Sequence, residues 1–372
     1  MVAEPIVTDL PAGAPPVCLA DFAERARAVL PEQVWDYVAG GSGGEVTLTA
    51  NRRALDRVGV LPRVLRGVEV PDLTTPLLGR RYAMPVGVAP IAYQRLVHPD
   101  GELALAAAAG AAGVPYVAST LGSVPIEEVA ASGAEVWFQL YWLRDRELVR
   151  DLLARVRGAG CRALVVTVDV PVLGRRFRDL RNAFRLPPGV TAANLPNGRH
   201  DLAHGGTPGV SPVPARSGAD FAPALRWADL AWLREHIDLP LVVKGVLDPR
   251  DARDAVRAGA DAVVVSNHGG RQFDGAPASV TMLPEVVEAV GDRCEVFLDS
   301  GVRSGTDVLR ALALGATGVL VGRPLIWALA VGGRPGAETA LDLLAGELRD
   351  ALALAGCADA AAARELRTVP VG

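Results

Sequence analysis

The sequence predicts an α/β fold, a (β/α)8 TIM barrel, and three observations predict it. Eight short runs rich in β-branched and aliphatic residues are each followed by an Ala/Leu/Arg-rich stretch with helical spacing. The runs are almost continuously apolar, which suits a parallel sheet covered on both faces. The chain has 372 residues, half of them apolar, enough for one barrel of about 250 residues with extensions. An open doubly wound sheet is the structural competitor, and strict alternation over eight units favours closure.

Taken in order, residues 1–65 form an N-terminal helical extension, with a helix expected from Leu19 to Leu30. The glycine-rich stretch Ala39-Gly40-Gly41-Ser42-Gly43-Gly44 reads as a flexible linker. It lacks the lysine of a P-loop and follows no strand, so it is given no phosphate role. The barrel itself is assigned to 66–372. Its strands are expected in Pro85–Pro90, Pro115–Ser119, Val136–Leu140, Ala163–Asp169, Pro240–Gly245, Asp261–Asn267, Glu295–Ser300 and Thr317–Gly322. Ala112-Gly113, Ala159-Gly160, Ala258-Gly259 and Leu314-Gly315 mark helix ends closed by a left-handed glycine. The segment 174–223 breaks the pattern with many Pro, Gly, Asn and Arg residues. A connection that long inside a compact domain is expected to serve as a lid. Because it follows the fourth run, it rises from the C-terminal face, where barrel active sites lie.

Composition excludes several classes of function. A net charge of −4 supplies no broad cationic field for a phosphate backbone, so no nucleic-acid partner is expected. Cys18, Cys161, Cys294 and Cys357 are far apart and form no CxxC pair, which argues against a zinc site or a disulfide framework. No metal is expected. The first residues lack the basic start and apolar run of a secretory signal. No apolar stretch approaches the roughly 20 residues of a membrane span. A cytoplasmic protein with no membrane partner is the expectation.

Polar residues at the C-terminal ends of the runs are the candidates for chemistry, since packing does not require them there. They are Gln139 and Tyr141 at the end of the third run, Thr167 and Asp169 in the fourth, and Lys244 in the fifth. Ser266-Asn267-His268-Gly269-Gly270-Arg271 follows the sixth, Asp299-Ser300-Gly301-Val302-Arg303 the seventh, and Gly322-Arg323 the eighth. Singly, each is as well explained as a cap or a solvated charge; their recurrence at one edge is not. Ser300-Gly301 with Arg303, and Gly322 with Arg323, read as a phosphate site built from small residues, helix N-termini and guanidinium groups. His268 is suited to take a proton near neutral pH, Asp169 to orient it, and Arg271 to clamp a carboxylate.

At these residues the chain resembles the FMN-dependent 2-hydroxy acid oxidases and dehydrogenases, the family of glycolate, lactate and mandelate-oxidising enzymes. The resemblance runs from about Leu19 to Leu354. It rests on Thr167-Val168-Asp169-Val170-Pro171 leading to Gly174-Arg175-Arg176, on Val243-Lys244-Gly245-Val246, and on Ser266-Asn267-His268-Gly269-Gly270-Arg271-Gln272. Ala89-Pro90-Ile91-Ala92 and Gly318-Val319-Leu320-Val321-Gly322-Arg323 complete it.

The resemblance implies that FMN is the cofactor, contacted by Ala92, Ser119, Gln139 and Thr167, with Lys244 at the N1–C2 edge of the ring. It implies that Asp299, Gly301, Arg303, Gly322 and Arg323 hold the ribityl phosphate chain. Tyr37, Tyr141, Arg176 and Arg271 are implied to bind the substrate carboxylate and hydroxyl, and Asp169 to partner His268 as catalytic base. His268, Asp169, Tyr141 and Lys244 form the implied catalytic set. The reaction implied is oxidation of a 2-hydroxy acid to a 2-oxo acid, with O2 as acceptor, hydrogen peroxide as product, and a homotetramer as assembly.

Trp35 to Gly41, Ala89 to Arg95 and Phe138 to Trp142 are most similar to the 4-hydroxymandelate-oxidising branch. Leu121-Gly122 stands where glycolate oxidases carry a tryptophan, leaving room for an aryl group. The alternatives are a small aliphatic acid, lactate or glycolate, and a dehydrogenase with an acceptor other than O2. One departure is Asp299-Ser300-Gly301, where most of the family reads Asp-Gly-Gly.

Overall fold

A computed structural model describes residues 13–196 and 225–372. Eight parallel strands close into a barrel: β1 (Val86–Val88), β2 (Tyr116–Ser119), β3 (Val136–Tyr141), β4 (Leu164–Thr167), β5 (Leu241–Val246), β6 (Ala262–Val265), β7 (Glu295–Leu298) and β8 (Gly318–Val321). Each lies within one of the eight apolar runs or overruns it by a single residue. Closure is made by β8 on β1, with Val319 opposite Val86 and Val321 opposite Val88. The four glycines expected to end helices, Gly113, Gly160, Gly259 and Gly315, all take positive φ.

Two apolar cores follow from the strand period of two, which sends alternate side chains to opposite faces. Outward residues such as Phe138, Val166, Val243 and Leu298 join the helices in one large cluster. Inward residues, among them Val117, Trp137, Val165, Val242, Val264, Phe297 and Leu320, fill the lower barrel. Trp137 meets Tyr82 and Phe297 edge-on at centroid distances of 6.3 and 5.7 Å. Tyr82 belongs to a short hairpin, Thr75–Leu77 with Arg80–Tyr82, whose Leu78 N–H donates to Glu295 at the start of β7. The hairpin therefore closes the N-terminal end of the barrel.

The N-terminal extension contains α1 (Leu19–Val29), α2 (Glu32–Ala39) and α3 (Val46–Asp56). Strand Val58–Val60 then pairs antiparallel with Thr368–Pro370, which ties the extension to the C-terminus. The glycine-rich stretch is no flexible linker. Ser42 N–H donates to Gly270 O at 2.9 Å, Gly43 N–H to Arg175 O at 2.8 Å, and Gly44 N–H to Asp274 at 2.8 Å. It is a docked turn, because small residues let its backbone reach the loops after β4 and β6.

The first part of the proposed lid, up to Pro196, is ordered against the barrel; 197–223 lie outside the described residues. Its short helix Phe177–Arg181 is tied to α2, with Arg178 donating to Asp36 at 3.1 Å and Asn182 to Asp36 at 2.8 Å. Further on, Ala193 N–H donates to Gly122 O at 2.9 Å, and the buried Asn194 bonds Ile126 N–H and Ser119 O. Among the described residues no helix is long and apolar enough to cross a membrane.

Candidate active site

The strand period explains where the polar residues stand. Two positions beyond the inward apolar residues come Ser119, Gln139, Thr167, Lys244, Ser266, Asp299 and Gly322. The barrel interior is thus apolar below and polar above. Over the polar layer lies a cavity that opens to solvent, with about 1350 Å³ of empty space when that opening is counted.

Part of that layer is already saturated within the protein. Ser119 Oγ donates to Gln139 Oε1 at 3.1 Å, and Gln139 Nε2 donates to Thr167 Oγ1 at 3.0 Å. Ser119 reaches the cavity wall, as does Ala92 above β1, whereas the buried Gln139 and Thr167 stand behind it. Lys244 lines the wall with its Nζ 3.0 Å from Asp299 Oδ2 and donates to Ser266 Oγ at 3.0 Å. Burial works against the Lys244 charge, but Asp299 and Asp169 outweigh it and raise its pKa.

His268 lies in a tight turn after β6 with φ of +58°. Its Nδ1 is 2.9 Å from Asp169 Oδ1, so the ring donates Nδ1–H to the carboxylate and leaves Nε2 as the basic nitrogen. Asp169 comes this close because β5 bulges at Gly245, whose φ is +107° and whose added Cβ would sit 2.6 Å from the Asp169 side chain. Burial depresses the His268 pKa; Asp169 opposes this, while Lys244 and Arg176 reinforce it. For Asp169, burial favours the neutral acid, yet His268 and Lys244 prevail and hold its pKa below the usual value. A neutral imidazole beside a carboxylate anion is the resting pair at neutral pH. Tyr141 shares the cavity wall, and burial with the nearby Asp169 pushes its phenol up to about 12, so it stays protonated.

Four guanidinium groups, from Arg176, Arg271, Arg303 and Arg323, line the same cavity. Arg271 donates Nη1 to Tyr37 O at 2.7 Å and Gly40 O at 2.8 Å, and its guanidinium lies 5.2 Å from the Tyr37 ring centroid. Tyr37 in turn stacks on Phe184 of the segment after β4 at 4.6 Å. Burial and the adjacent Arg176 lower the Arg271 pKa to about 10. Burial and Arg52 do the same to Arg303, also to about 10. Arg323 is driven down further by burial and its three arginine neighbours, and its nitrogens donate to Val38 O, Gly40 O and Gly269 O. Arg176 is 9% exposed, and its Nε is buried without a hydrogen-bond partner. Gly301 and Gly322 complete the wall beside Arg303 and Arg323. Cations so crowded are stabilised by anions placed among them.

The sequence reading missed the residues that brace this site from α3. Asn51 and Asn267 exchange two amide hydrogen bonds, at 2.9 and 2.7 Å, and Asn267 Oδ1 also accepts from Gly270 N–H at 3.0 Å. Arg52 is ion-paired with the fully buried Asp307 at 2.6 Å and also donates to Gly301 O. Asp307 accepts from Arg303 N–H at 2.8 Å. Adjacent residues of one helix therefore fix the His268 turn and the loop after β7. Nothing in the local sequence of a helix 216 residues from its partner signals this.

Residues 26–368 match the model of one family, the FMN-dependent dehydrogenases. The chain belongs to that family. It is 56% identical over 354 residues to 4-hydroxymandelate oxidase from Amycolatopsis orientalis, covering 95% of this chain and 98% of that one. L-lactate oxidase from Nostoc sp. is 47% identical over 348 residues, 92% of this chain and 95% of that protein. A solved structure of mandelate oxidase with (S)-4-hydroxymandelic acid superposes with a TM-score of 0.92 at 55% identity, covering 95% and 99% of the two chains. This FMN-dependent dehydrogenase is accordingly a flavoenzyme of 2-hydroxy acid oxidation. The cavity fits its cofactor. Guanidinium groups that form no ion pair among the described residues gather at the loops after β7 and β8, where a phosphate is expected, and a lysine stands in the polar floor.

Proposed function

We propose that the protein oxidises an aryl 2-hydroxy acid of the mandelate or 4-hydroxymandelate class to the 2-oxo acid and passes the electrons to O2 as hydrogen peroxide. The observation that carries the chemistry is His268, in the wall of a cavity that also presents Arg176 and Arg271, paired with Asp169 at 2.9 Å. The two guanidinium groups bind the substrate carboxylate, with the Arg176 Nε filling its open valence on that anion. Tyr37 and Tyr141 flank the same space, and the Tyr141 phenol, protonated at working pH, donates to the substrate oxygen.

His268 Nε2 accepts the proton that leaves the substrate, and Asp169 stabilises the imidazolium through the Nδ1–H bond. When bound, FMN would supply the two-electron acceptor, and Lys244 in the cavity wall would be among the residues that hold it. Ala92 and Ser119 form the wall toward the ring. Gln139 and Thr167 support that wall from behind, while Asp299, Gly301, Arg303, Gly322 and Arg323 hold the phosphate chain.

An aryl substrate is favoured by Leu121 in the wall beside Gly122, and by 56% identity to an enzyme named for 4-hydroxymandelate. The test is anaerobic bleaching of the flavin band by S and R enantiomers of mandelate, 4-hydroxymandelate, lactate and glycolate. The aryl S-acids should reduce it fastest, and faster reduction by lactate or glycolate overturns the substrate assignment. Peroxide release in air tests the acceptor; rapid dye reduction without peroxide favours a dehydrogenase. A cytoplasmic homotetramer completes the proposal on family resemblance, and light scattering of the purified protein tests the assembly.

A further inference from the structure

Ser300 occupies a backbone conformation that serine rarely adopts. Its φ is +75°, in the left-handed region, where an L-residue costs about 1–2 kcal/mol relative to glycine. A side chain retained there at such a cost invites the question of what its hydroxyl does. Ser300 Oγ accepts from Gly269 N–H at 2.9 Å and donates to Asp299 Oδ1 at 2.7 Å. The other oxygen of Asp299 pairs with Lys244 Nζ at 3.0 Å. Lys244 Nζ donates to Ser266 Oγ at 3.0 Å, which also accepts from His268 N–H at 3.0 Å. His268 and Gly269 share a peptide bond, so these contacts form one closed ring. It runs from the peptide of the base, through Ser266, Lys244, Asp299 and Ser300, back to the next residue of the same turn.

We propose that Ser300 is a positioning residue: its hydroxyl closes a hydrogen-bonded ring that fixes the backbone of the His268 turn relative to the Lys244 ammonium. The ring lies in the cavity wall, with Ser300 9% and Lys244 4% exposed, so water competes poorly for its members. His268 itself has φ of +58° and Gly269 of +65°. With Gly270 at φ of +73°, three consecutive left-handed residues make a turn that needs external anchors, and the ring supplies one at each of the first two N–H groups. Without the hydroxyl, the Gly269 N–H and Asp299 Oδ1 both lose a partner. The Lys244–Asp299 pair is then no longer referenced to the turn.

The experiment compares Ser300→Gly and Ser300→Ala. Glycine removes the hydroxyl and relieves the backbone, whereas alanine removes the hydroxyl and keeps the backbone cost. If the hydroxyl matters, both variants weaken FMN binding to the apoprotein by roughly tenfold, the lower end for one charge-assisted hydrogen bond. Both also slow anaerobic flavin reduction at saturating substrate with little change in KM, and Ser300→Gly does so despite an unfolding temperature at or above that of the parent. Combining Ser300→Gly with Ser266→Ala should then cost less than the sum of the two, because a ring opens only once.

Parent-like FMN affinity and reduction rate in Ser300→Gly overturn the proposal, as does a defect confined to Ser300→Ala, which would assign the effect to backbone strain. Should Ser300→Ala not fold, Ser300→Gly alone decides. The kinetic arm rests on His268 being the base. A His268→Ala variant that still reduces the flavin normally would sink that assignment, and the ring would still be judged by FMN affinity.

Discussion

Replacing Asp169 by asparagine keeps the shape of the site and removes one charge, so its effect can be worked from the geometry. Asp169 Oδ1 and His268 Nδ1 are 2.9 Å apart, with side chains 13% and 18% exposed. Charge centres about 4 Å apart at an effective dielectric of about 20 attract by about 4 kcal/mol when the imidazole is fully protonated. A transition state with the proton half transferred realises about 2 kcal/mol, about 30-fold in rate. An asparagine that turns its amide toward Nδ1 also disfavours the productive tautomer, which brings the expected loss in the flavin-reduction step to about 10² to 10³-fold. The pH profile should move as well. His268 must be neutral to accept a proton, so kcat/KM rises as pH climbs through its pKa, which burial sets below the ordinary imidazole value. In Asp169→Asn the one neighbour that favours the charged ring is gone, while Lys244 and Arg176 remain, so the acid limb shifts to still lower pH. Stopped-flow reduction across pH measures both quantities. A rate within about threefold of the parent, or an acid limb displaced upward, would refute the pairing argument.

Three further outcomes are expected. Leu121→Trp should cut kcat/KM for mandelate by about 10 to 100-fold through overpacking of the cavity wall, with a smaller effect on lactate, so the ratio of the two acids should change. Lys244→Met should leave Asp299 as a buried carboxylate without its cation, lowering unfolding free energy by about 3–5 kcal/mol in urea titration and lowering the flavin midpoint potential. Asn51→Ala should strand the Asn267 amide and cost about 1–3 kcal/mol of stability while slowing flavin reduction, a combination that a purely structural residue would not show.

The barrel was legible because its strands are buried on both faces and therefore carry unbroken apolar runs. Within those runs a second regularity points to the site. Val117 to Ser119, Trp137 to Gln139, Val165 to Thr167, Val242 to Lys244, Val264 to Ser266 and Phe297 to Asp299 all step two residues from an apolar floor to a polar rim. A step of two keeps the side chain on the inner face, so each pair reports one wall of the cavity. Local pattern could not show which rim residues are saturated by one another. Gln139 and Thr167 have the same sequence signature as Lys244, yet the first two bond each other behind the wall and the last faces the cavity. Nor could it show that the glycine stretch 40–44 is docked, because its partners, Arg175, Gly270 and Asp274, are more than 100 residues away.

Those distant contacts change what the N-terminal extension is for. A barrel alone would present Arg271 and Arg323 at an open mouth, where water would screen them and leave their side chains free to move. Here the carbonyls of Tyr37, Val38 and Gly40 accept from both guanidinium groups, at 2.7 to 3.0 Å, and α3 supplies Asn51 and Arg52 to the turns that carry His268 and Gly301. The extension thus orients the cations without neutralising them, since carbonyl dipoles hold an arginine while leaving its full charge for an anionic ligand. Carboxylates in those places would have relieved the lowered arginine pKa values and competed with the substrate. The cost is a site whose charges are balanced only when its anions are bound, and that imbalance is what gives such a cavity its affinity for a phosphate at one end and a hydroxy acid at the other.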